Sequence, residues 1–319
     1  MPQGTGKRQC LDTRFAPRYA AAMSTRTPDA NLRGALFMTA AMAAFAVEDM
    51  FLKAAAKTLP MGQILIAFAL IGMLVFRGLA HRRGEVLLHP ALHSPAMRWR
   101  MGFEVAGRLF YALAIVLTPL SSSAAILQAA PLLVMGGAAW LFGERIGLQR
   151  WLAIGIGLAG VMLILRPGTD GFSLLSLLAV IGTIGFAGRD LATRAAPRVL
   201  SHWQLGFWGF AMLLVAGLIL TAWDGRWAEP SLPSVGLVLA GSGFGIGAYT
   251  ALTFAMRTGD VGAVTPFRYS RLVFAMALGI LVFGERPDVW TLAGAALIVA
   301  SGIYALTAGR RRALDSAPR

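Results

Sequence analysis

Two arginines and a tyrosine lie close together in an apolar segment near the end of the chain, at Arg268, Tyr269 and Arg271. Because the arginines are three residues apart, a helix would place both guanidinium groups on one face. Pro266 lacks an N–H and weakens a helix just before them. Two guanidinium groups suit a carboxylate, a phosphate or an electron-rich ring, so this segment is predicted to bind such a group. Pairing with acidic residues of other segments is the structural alternative.

Further charged and polar side chains interrupt apolar segments elsewhere in the chain. A charge at the centre of a bilayer costs ~3 kcal/mol or more, and a retained charge usually faces a cavity. Glu104 and Arg108 are four residues apart, so on a helix they either pair with each other or face such a cavity. The predicted substrate-binding residues are Arg268, Tyr269, Arg271, Arg108 and Gln128, and the predicted coupling or charge-pair residues are Glu48, Asp49, Glu104, Arg189 and Asp190.

Two more glutamates, Glu144 and Glu285, each follow a long apolar segment and each precede an arginine. This position is typical of the end of a membrane helix, where a carboxylate can cap a neighbouring helix or pair with a cation. A structural role at the membrane edge is therefore predicted for both residues.

The sequence offers no motif for metal binding or catalysis. His89 and His93 have the spacing of two ligands on one helix face, but Pro90 argues against a helix and no third ligand is evident. The glycines at 155, 157 and 160 match a dinucleotide fingerprint, yet that motif requires a preceding strand. In a membrane helix the same glycines allow close helix packing. The motifs of P-loop ATPases, serine hydrolases and zinc proteases do not occur, so neither a cofactor nor an enzyme is predicted.

The elements that must position these residues are predicted to be membrane helices. The chain is 57% hydrophobic and only 14% charged, against about 25% charged in soluble domains. Crossing a bilayer takes roughly 20 apolar residues, and backbone groups in lipid must be satisfied within the segment, which favours helices. Ten membrane spans are predicted, at residues 34–51, 58–76, 101–117, 121–142, 151–165, 172–191, 203–223, 235–256, 261–283 and 289–306.

The distribution of Lys and Arg predicts that both termini are cytoplasmic. With ten spans, 20 Lys and Arg lie on the side of the termini and 5 on the opposite side. Cytoplasmic loops carry the excess of positive charge, so the net charge of +14 is explained by membrane orientation, and nucleic acid is not a predicted partner. Residues 1–32 have no apolar run and are predicted to be a disordered cytoplasmic tail without a signal peptide. Met23 is an alternative initiation site.

An internal repeat appears when the sequence is shifted by 141 residues. Residues 142–145 and 283–286 are both Phe-Gly-Glu-Arg, Asp49 aligns with Asp190, and Gln63 aligns with Gln204. The predicted repeats are residues 33–167 and 168–308, followed by a cytoplasmic tail at 309–319. Each repeat has five spans, an odd number, so the two must have opposite orientations in the membrane. Inverted repeats are the architecture by which many secondary transporters alternate between two open states.

With ten spans, this duplication and the Gly-Glu-Arg ends of spans 4 and 9, the chain resembles the EamA family of the drug/metabolite transporter superfamily. Arg-Asp-Leu-Ala-Thr-Arg at 189–194 and Pro-Phe-Arg-Tyr-Ser-Arg at 266–271 sharpen the resemblance, which covers residues 33–308. It implies a ten-helix carrier of the bacterial inner membrane that works by alternating access, with a substrate pathway lined by both halves. The substrates implied are an amino acid, S-adenosylmethionine or another nucleoside-like compound, or a vitamin such as riboflavin.

Two other classes of protein are weighed against a carrier: an integral membrane enzyme acting on lipid-linked substrates, and a membrane scaffold. An enzyme would need an acidic or histidine cluster in a sizeable aqueous loop, and the arginines within spans count against a scaffold. The lipid bilayer and a small-molecule substrate are the predicted partners. Proton coupling through Asp49, Asp190 or Glu104, exchange of substrate without protons, and a homodimer are left open.

Overall fold

The computed structural model describes residues 28–143, 147–167, 173–197, 199–258 and 264–315. Within these ranges all long elements are helices, which confirms the predicted all-α fold, and the ten spans keep the numbers given above. They are span 1, Pro28–Ala55; span 2, Met61–Arg82; span 3, Pro95–Leu117; span 4, Leu120–Leu127 and Ala130–Phe142; span 5, Leu148–Leu165; span 6, Ser176–Ala195; span 7, His202–Asp224; span 8, Leu232–Thr258; span 9, a 3-10 turn at Thr265–Tyr269 followed by Ser270–Phe283; and span 10, Val289–Asp315.

The outermost helices are longer than the predicted spans. Span 1 begins at Pro28, inside the predicted tail 1–32, and span 10 continues to Asp315, inside the predicted tail 309–319. A helix satisfies its own backbone hydrogen bonds in water as well as in lipid, so apolar composition does not mark where it ends. Met23 lies outside the described residues.

Eight of the described spans are long and apolar enough to cross a membrane, and spans 3 and 6 are not among them. Span 3 carries four charged residues from Arg98 to Arg108, and span 6 carries three from Arg189 to Arg194. Span 3 packs against span 6 along its length and also against spans 4 and 7. The two least apolar helices therefore lie side by side and shield their charges from the lipid.

The helices pair in a pattern that follows the repeat. Span 1 packs against span 8, span 3 against span 6, span 2 against span 7, and span 5 against span 10. A shift of one repeat converts the pair of spans 1 and 8 into the pair of spans 6 and 3, and it maps the other two pairs onto themselves. This is the relation expected of two inverted five-helix repeats, whose interface lies in the middle of the bundle.

Glycines bring spans 5 and 10 into close contact. A Cβ atom on Gly160 would lie 2.7 Å from the carbonyl oxygen of Gly294, and a Cβ atom on Gly157 would lie 2.8 Å from Ser301 Oγ. Small residues allow membrane helices to approach closely, so the packing interpretation of this glycine run is confirmed at Gly157 and Gly160. A Cβ atom added to Gly155 would meet no described residue of another helix within 4 Å.

Spans 4 and 9 are interrupted at equivalent levels. The first helix of span 4 ends at Leu127, and the second begins at Ala130 with Pro131 in its first turn. Span 9 changes from a 3-10 turn to an α-helix after Tyr269, with Pro266 at the start of the turn. Proline cannot donate a backbone hydrogen bond, so Pro131 and Pro266 each interrupt the regular α-helical hydrogen bonding at this level.

Candidate functional site

A cavity of about 550 Å³ lies between the two repeats. Its described lining comes from spans 1 to 4 and 6 to 9, whereas spans 5 and 10 contribute no described residue to it. Four carboxylates and six guanidinium groups line this cavity: Glu48, Asp49, Glu104, Asp190, Arg100, Arg108, Arg189, Arg194, Arg268 and Arg271. When all ten are ionised the lining carries an excess of positive charge, which favours a ligand with an anionic group.

Nine of the twelve residues singled out from the sequence lie at this cavity: Glu48, Asp49, Glu104, Arg108, Gln128, Arg189, Asp190, Arg268 and Arg271. The sequence places them on five different spans, and the fold brings them together at the interface of the repeats. Of the other three, Tyr269 and Glu285 lie elsewhere, and Glu144 is outside the described residues.

The two arginines of span 9 have different surroundings. Arg271 donates from Nη2 to Asp49 Oδ2 at 2.6 Å, and Tyr111 donates its hydroxyl to the same oxygen at 3.2 Å. The Arg271 guanidinium also lies 5.1 Å from the centre of the Phe45 ring. Arg268 has no acidic partner in the part of the chain that the structure describes. Arg271 is therefore ion-paired with Asp49 while it also lines the cavity, and Arg268 is the less compensated of the two lining arginines among the described residues.

Three arginines surround the Glu104 carboxylate, which is only 2% exposed. Arg108 Nε lies 3.3 Å from Oε1, Arg189 Nη1 lies 3.4 Å from Oε1, and Arg100 Nη2 lies 3.7 Å from Oε2. Such a carboxylate is compensated several times over, and removing it would leave three cations close together.

Arg100 is a site residue that the sequence analysis missed. It was counted as a loop cation, but its side chain is 5% exposed and lines the cavity. Its Nε donates to Thr193 Oγ1 at 3.0 Å and its Nη2 to the Leu205 carbonyl at 3.3 Å. The signal was present, because Arg100 precedes Glu104 by four residues and such pairs share a helix face.

Asp190 and Glu48 differ in how well they are compensated. Arg189 donates from Nη2 and Nε to Asp190 Oδ1 at 2.7 and 2.9 Å. Glu48 has only Arg108 near Oε1, at 3.9 Å, and its Oε2 has no hydrogen-bond partner among the described residues. The sequence analysis placed both in one class, and the structure separates them.

Gln128 and Tyr269 align in the repeat but lie in different places. Gln128 lines the cavity, and its Nε2 donates to the Arg268 carbonyl at 3.1 Å, so it joins the interruption of span 4 to that of span 9 at the cavity wall. Tyr269 is not a described lining residue, and its hydroxyl packs against Gly302 of span 10. That either side chain contacts the substrate stays a prediction.

Glu285 lies at one end of the bundle and caps the start of span 4. Its Oε1 accepts from the Leu120 backbone N–H at 2.6 Å and its Oε2 from the Ser121 N–H at 2.9 Å. Lys53 donates to Oε1 at 3.0 Å and to the Thr118 carbonyl at 2.8 Å. Burial raises the pKa of Glu285, but the hydrogen bonds from Ser121 and Leu120 outweigh it and lower the pKa below its usual value. We call Lys53, Glu285 and the Leu120–Ser121 backbone the end latch.

Two inverted repeats with a charged cavity at their interface are typical of membrane carriers. Comparison with known proteins identifies the carrier family. The EamA-like transporter family matches residues 32–166 and 173–307. The chain therefore belongs to the EamA-like transporter family, as its resemblance to that family predicted.

Several curated relatives are transporters. A riboflavin transporter of Rhizobium johnstonii is 29% identical over 61% of this chain, although the alignment spans only 64% of that relative. A riboflavin transporter of Vibrio cholerae is 28% identical over 85% of this chain and 91% of the relative. A pseudopaline exporter of Pseudomonas aeruginosa is 26% identical over 85% of this chain and 94% of the relative.

A solved crystal structure has the same fold. It aligns with a TM-score of 0.54 and 19% identity, and the alignment covers 88% of this chain and 98% of that chain. At this identity the likeness concerns the arrangement of helices alone.

Proposed function

We propose that the protein is a secondary transporter that moves a small organic metabolite across the bacterial inner membrane by alternating access. Both termini face the cytoplasm, and the protein performs no catalytic chemistry of its own. The observation that carries this proposal is the charged cavity at the interface of the inverted repeats. Its volume of about 550 Å³ lies within the roughly 300–1,000 Å³ of pockets for small molecules.

The charges of the cavity narrow the substrate to compounds with an anionic or electron-rich group. Arg268 supplies a cation without an acidic partner among the described residues, and Arg108 is shared between two carboxylates. Amino acids, S-adenosylmethionine, flavins and related metabolites carry such groups. The names of the relatives, which include riboflavin transporters and a pseudopaline exporter, support the same size and polarity of substrate.

The two ends of the bundle carry related contacts, as alternating access requires. At one end Lys53 of the end latch lies 5.1 Å from the Phe283 ring. One repeat away, at the other end, Arg194 lies 5.5 Å from the Phe142 ring, and both residues are the repeat equivalents of the first pair. Equivalent cation–aromatic contacts at opposite ends support a transport cycle in which either end of the bundle opens while the other end stays closed.

A thermal-shift screen of the purified protein tests this function. Amino acids, flavins, nucleosides and S-adenosylmethionine are added separately, and any compound that raises the melting temperature is followed by uptake into proteoliposomes. We expect one class to stabilise the protein, because ligand binding to the folded state shifts unfolding by mass action. Uptake no faster than into empty liposomes for every stabilising compound would contradict the transporter proposal.

The orientation is tested separately with reporter fusions. A phosphatase fused after Arg310 is active only when it is exported, so we expect it to be inactive at this position. A fusion in the loop between spans 1 and 2, which carries Lys57, provides the matched control and should be active. Activity after Arg310 would place the C-terminus outside and would contradict the ten-span topology.

A further inference from the structure

Glu48 of span 1 is the least compensated acid of the cavity. Its side chain is only 3% exposed, and Oε2 has no hydrogen-bond partner among the described residues. The nearest cation, Arg108, lies 3.9 Å from Oε1 and is bound to Glu104 at 3.3 Å. A buried carboxylate oxygen without a hydrogen-bond partner makes the charged form costly, and protonation of the carboxyl lowers that cost.

The internal repeat shows what Glu48 lacks. Its repeat equivalent is Arg189, and the repeat equivalent of Glu104 is Gly245. In one half of the molecule Arg189 of span 6 pairs with Glu104 of span 3 at 3.4 Å. In the other half the same two positions hold Glu48 of span 1 and Gly245 of span 8. The duplicated site that carries an ion pair in one half carries a single carboxyl in the other.

Gly245 of span 8 and Phe68 of span 2 close one side of the Glu48 carboxyl. A Cβ atom added to Gly245 would lie 3.0 Å from Oε2, 2.9 Å from the Glu48 carboxyl carbon and 2.6 Å from Phe68 Cζ. Even a methyl group would therefore displace the carboxyl or the phenyl ring. Oε2 thus lies against apolar groups, whereas Oε1 faces Arg108.

We infer that Glu48 is the site of an exchangeable proton whose binding is coupled to substrate binding in the cavity. The inference rests on the proposed transport function and adds the coupling ion to it. The proton binds to a carboxylate oxygen, and its release leaves the carboxylate facing Arg108.

The charged and titratable groups around Glu48 determine the sign of the coupling. These are Asp49 on span 1; Glu104, Arg108 and Tyr111 on span 3; Tyr249 on span 8; and Arg268 and Arg271 on span 9. Among them Arg108 contacts Glu48 directly and has no other carboxylate than Glu104 within ion-pair distance in the described chain. An anionic substrate group attracts Arg108 toward the cavity. Because a neighbouring cation favours the ionised carboxylate, its withdrawal favours the protonated form of Glu48, and substrate and proton bind together.

Infrared spectroscopy of the full-length protein in lipid nanodiscs tests proton binding without a substrate. The wild type is titrated from acidic to alkaline pH, and the carbonyl stretch of protonated carboxyl groups is recorded. Other carboxyl groups of the protein also give this band in acid, so the Glu48→Gln spectrum is subtracted from that of the wild type at each pH. We expect the difference spectrum to contain one band, from the Glu48 carboxyl, that disappears as the pH rises. Asp190→Asn is the matched control, because it removes a carboxylate of the same cavity that is already paired with Arg189, and it should retain the band.

Two results would overturn the inference. One is a difference spectrum between wild type and Glu48→Gln that contains no carboxyl band, and the other is a Glu48 band that does not change with pH. If Glu48→Gln gives too little folded protein, Gly245→Ala provides a second variant, since its methyl group displaces the carboxyl. The midpoint of the titrating band should then shift, and an unchanged midpoint would count equally against Glu48.

Transport in proteoliposomes tests the coupling, using whichever compound the thermal-shift screen has identified. For one proton bound with one monoanion, a gradient of one pH unit should drive about tenfold accumulation in the wild type. Glu48→Gln should equilibrate the compound without accumulating it. Uptake that ignores the gradient in the wild type would overturn the coupling and leave the transport function intact. The absence of uptake under all conditions would instead contradict the transport function.

Discussion

Two networks of charge, one at the cavity and one at the end of the bundle, satisfy a glutamate in different ways. Glu104 in the cavity is surrounded by three guanidinium groups at 3.3 to 3.7 Å. Glu285 in the end latch accepts two backbone N–H groups and one lysine. The cavity network depends on mutual compensation between side chains, whereas the latch depends mainly on a helix terminus that exists without it. This difference predicts how strongly each network responds to substitution.

The largest effect is expected for Glu104→Gln. Removing one partner of a buried ion network leaves uncompensated charge, and the cost is typically about 3–5 kcal/mol. Here three arginines would lose their shared anion, so the melting temperature and the folded yield in detergent should fall sharply. Asp190→Asn is the matched control with a smaller expected loss, because Arg189 would keep its contact with Glu104. Equal melting temperatures for wild type and Glu104→Gln would show that the arginines do not depend on this carboxylate.

The next effect separates the two arginines of span 9. Arg271→Gln should lower the melting temperature, because Asp49 would retain only the Tyr111 hydroxyl as a partner. Arg268→Gln should leave it unchanged and weaken substrate binding, since a charge-assisted hydrogen bond contributes roughly 1.5–3 kcal/mol, about ten- to a hundredfold in affinity. Arg268→Lys should recover only part of that affinity, because the planar fork is lost. Both quantities come from thermal unfolding with and without the identified substrate.

The opposite result for the two arginines would make Arg271 the substrate-binding residue and Arg268 the structural one. Stable Arg271→Gln with lost binding, together with unstable Arg268→Gln, would mean that Asp49 does not hold Arg271 in the folded protein. Unchanged stability and unchanged binding in both variants would remove span 9 from the substrate site.

Span 9 also shows how far the sequence could predict the site. Scarcity of charge and the 141-residue repeat were sufficient for ten helices, two repeats and most of the cavity residues. The spacing of Arg268 and Arg271 placed them on one helix face, but the 3-10 turn at Thr265–Tyr269 gives them different neighbours. Which arginine meets Asp49 depends on the packing of span 1 against span 9, a contact between residues more than 200 positions apart that no local pattern records.

Arg100 and Gly245 illustrate a second limit. Counting charges by loop assigned Arg100 to the aqueous side, since apolar composition alone does not show where span 3 begins. Gly245 lies in an apolar segment where the sequence alone suggests nothing beyond helix packing, yet in the fold it packs against the carboxyl of Glu48. To see that Gly245 replaces an acidic residue, one needs the repeat, which aligns Gly245 with Glu104. The contact of Gly245 with Glu48 is visible only in the structure.

A smaller effect is expected at the end latch. Glu285→Gln keeps an oxygen that can accept from the Leu120–Ser121 backbone but loses the charge that attracts Lys53 and the helix terminus. A carboxylate at a helix N-terminus contributes about 0.3–1 kcal/mol, or up to ~2 kcal/mol in partly buried sites, so the loss of stability should remain below that of Glu104→Gln. Thermal unfolding of the two variants side by side measures the difference. A larger loss for Glu285→Gln would reverse the ranking of the two networks.

The smallest effect is the pH dependence of the latch. The folded protein lowers the pKa of Glu285. The end latch therefore contributes its full stability at pH values above the usual pKa of glutamate, about 4.3. That contribution is lost as the pH falls through the lowered pKa of the folded state, since the unfolded chain then binds the proton more readily. Wild type should therefore exceed Glu285→Gln in melting temperature near neutral pH, and the two should converge in acid, where Glu285 is as neutral as glutamine. A difference between wild type and variant that is constant from neutral to acidic pH would mean that the neutral hydrogen bonds, and not the charge, close this end of the bundle.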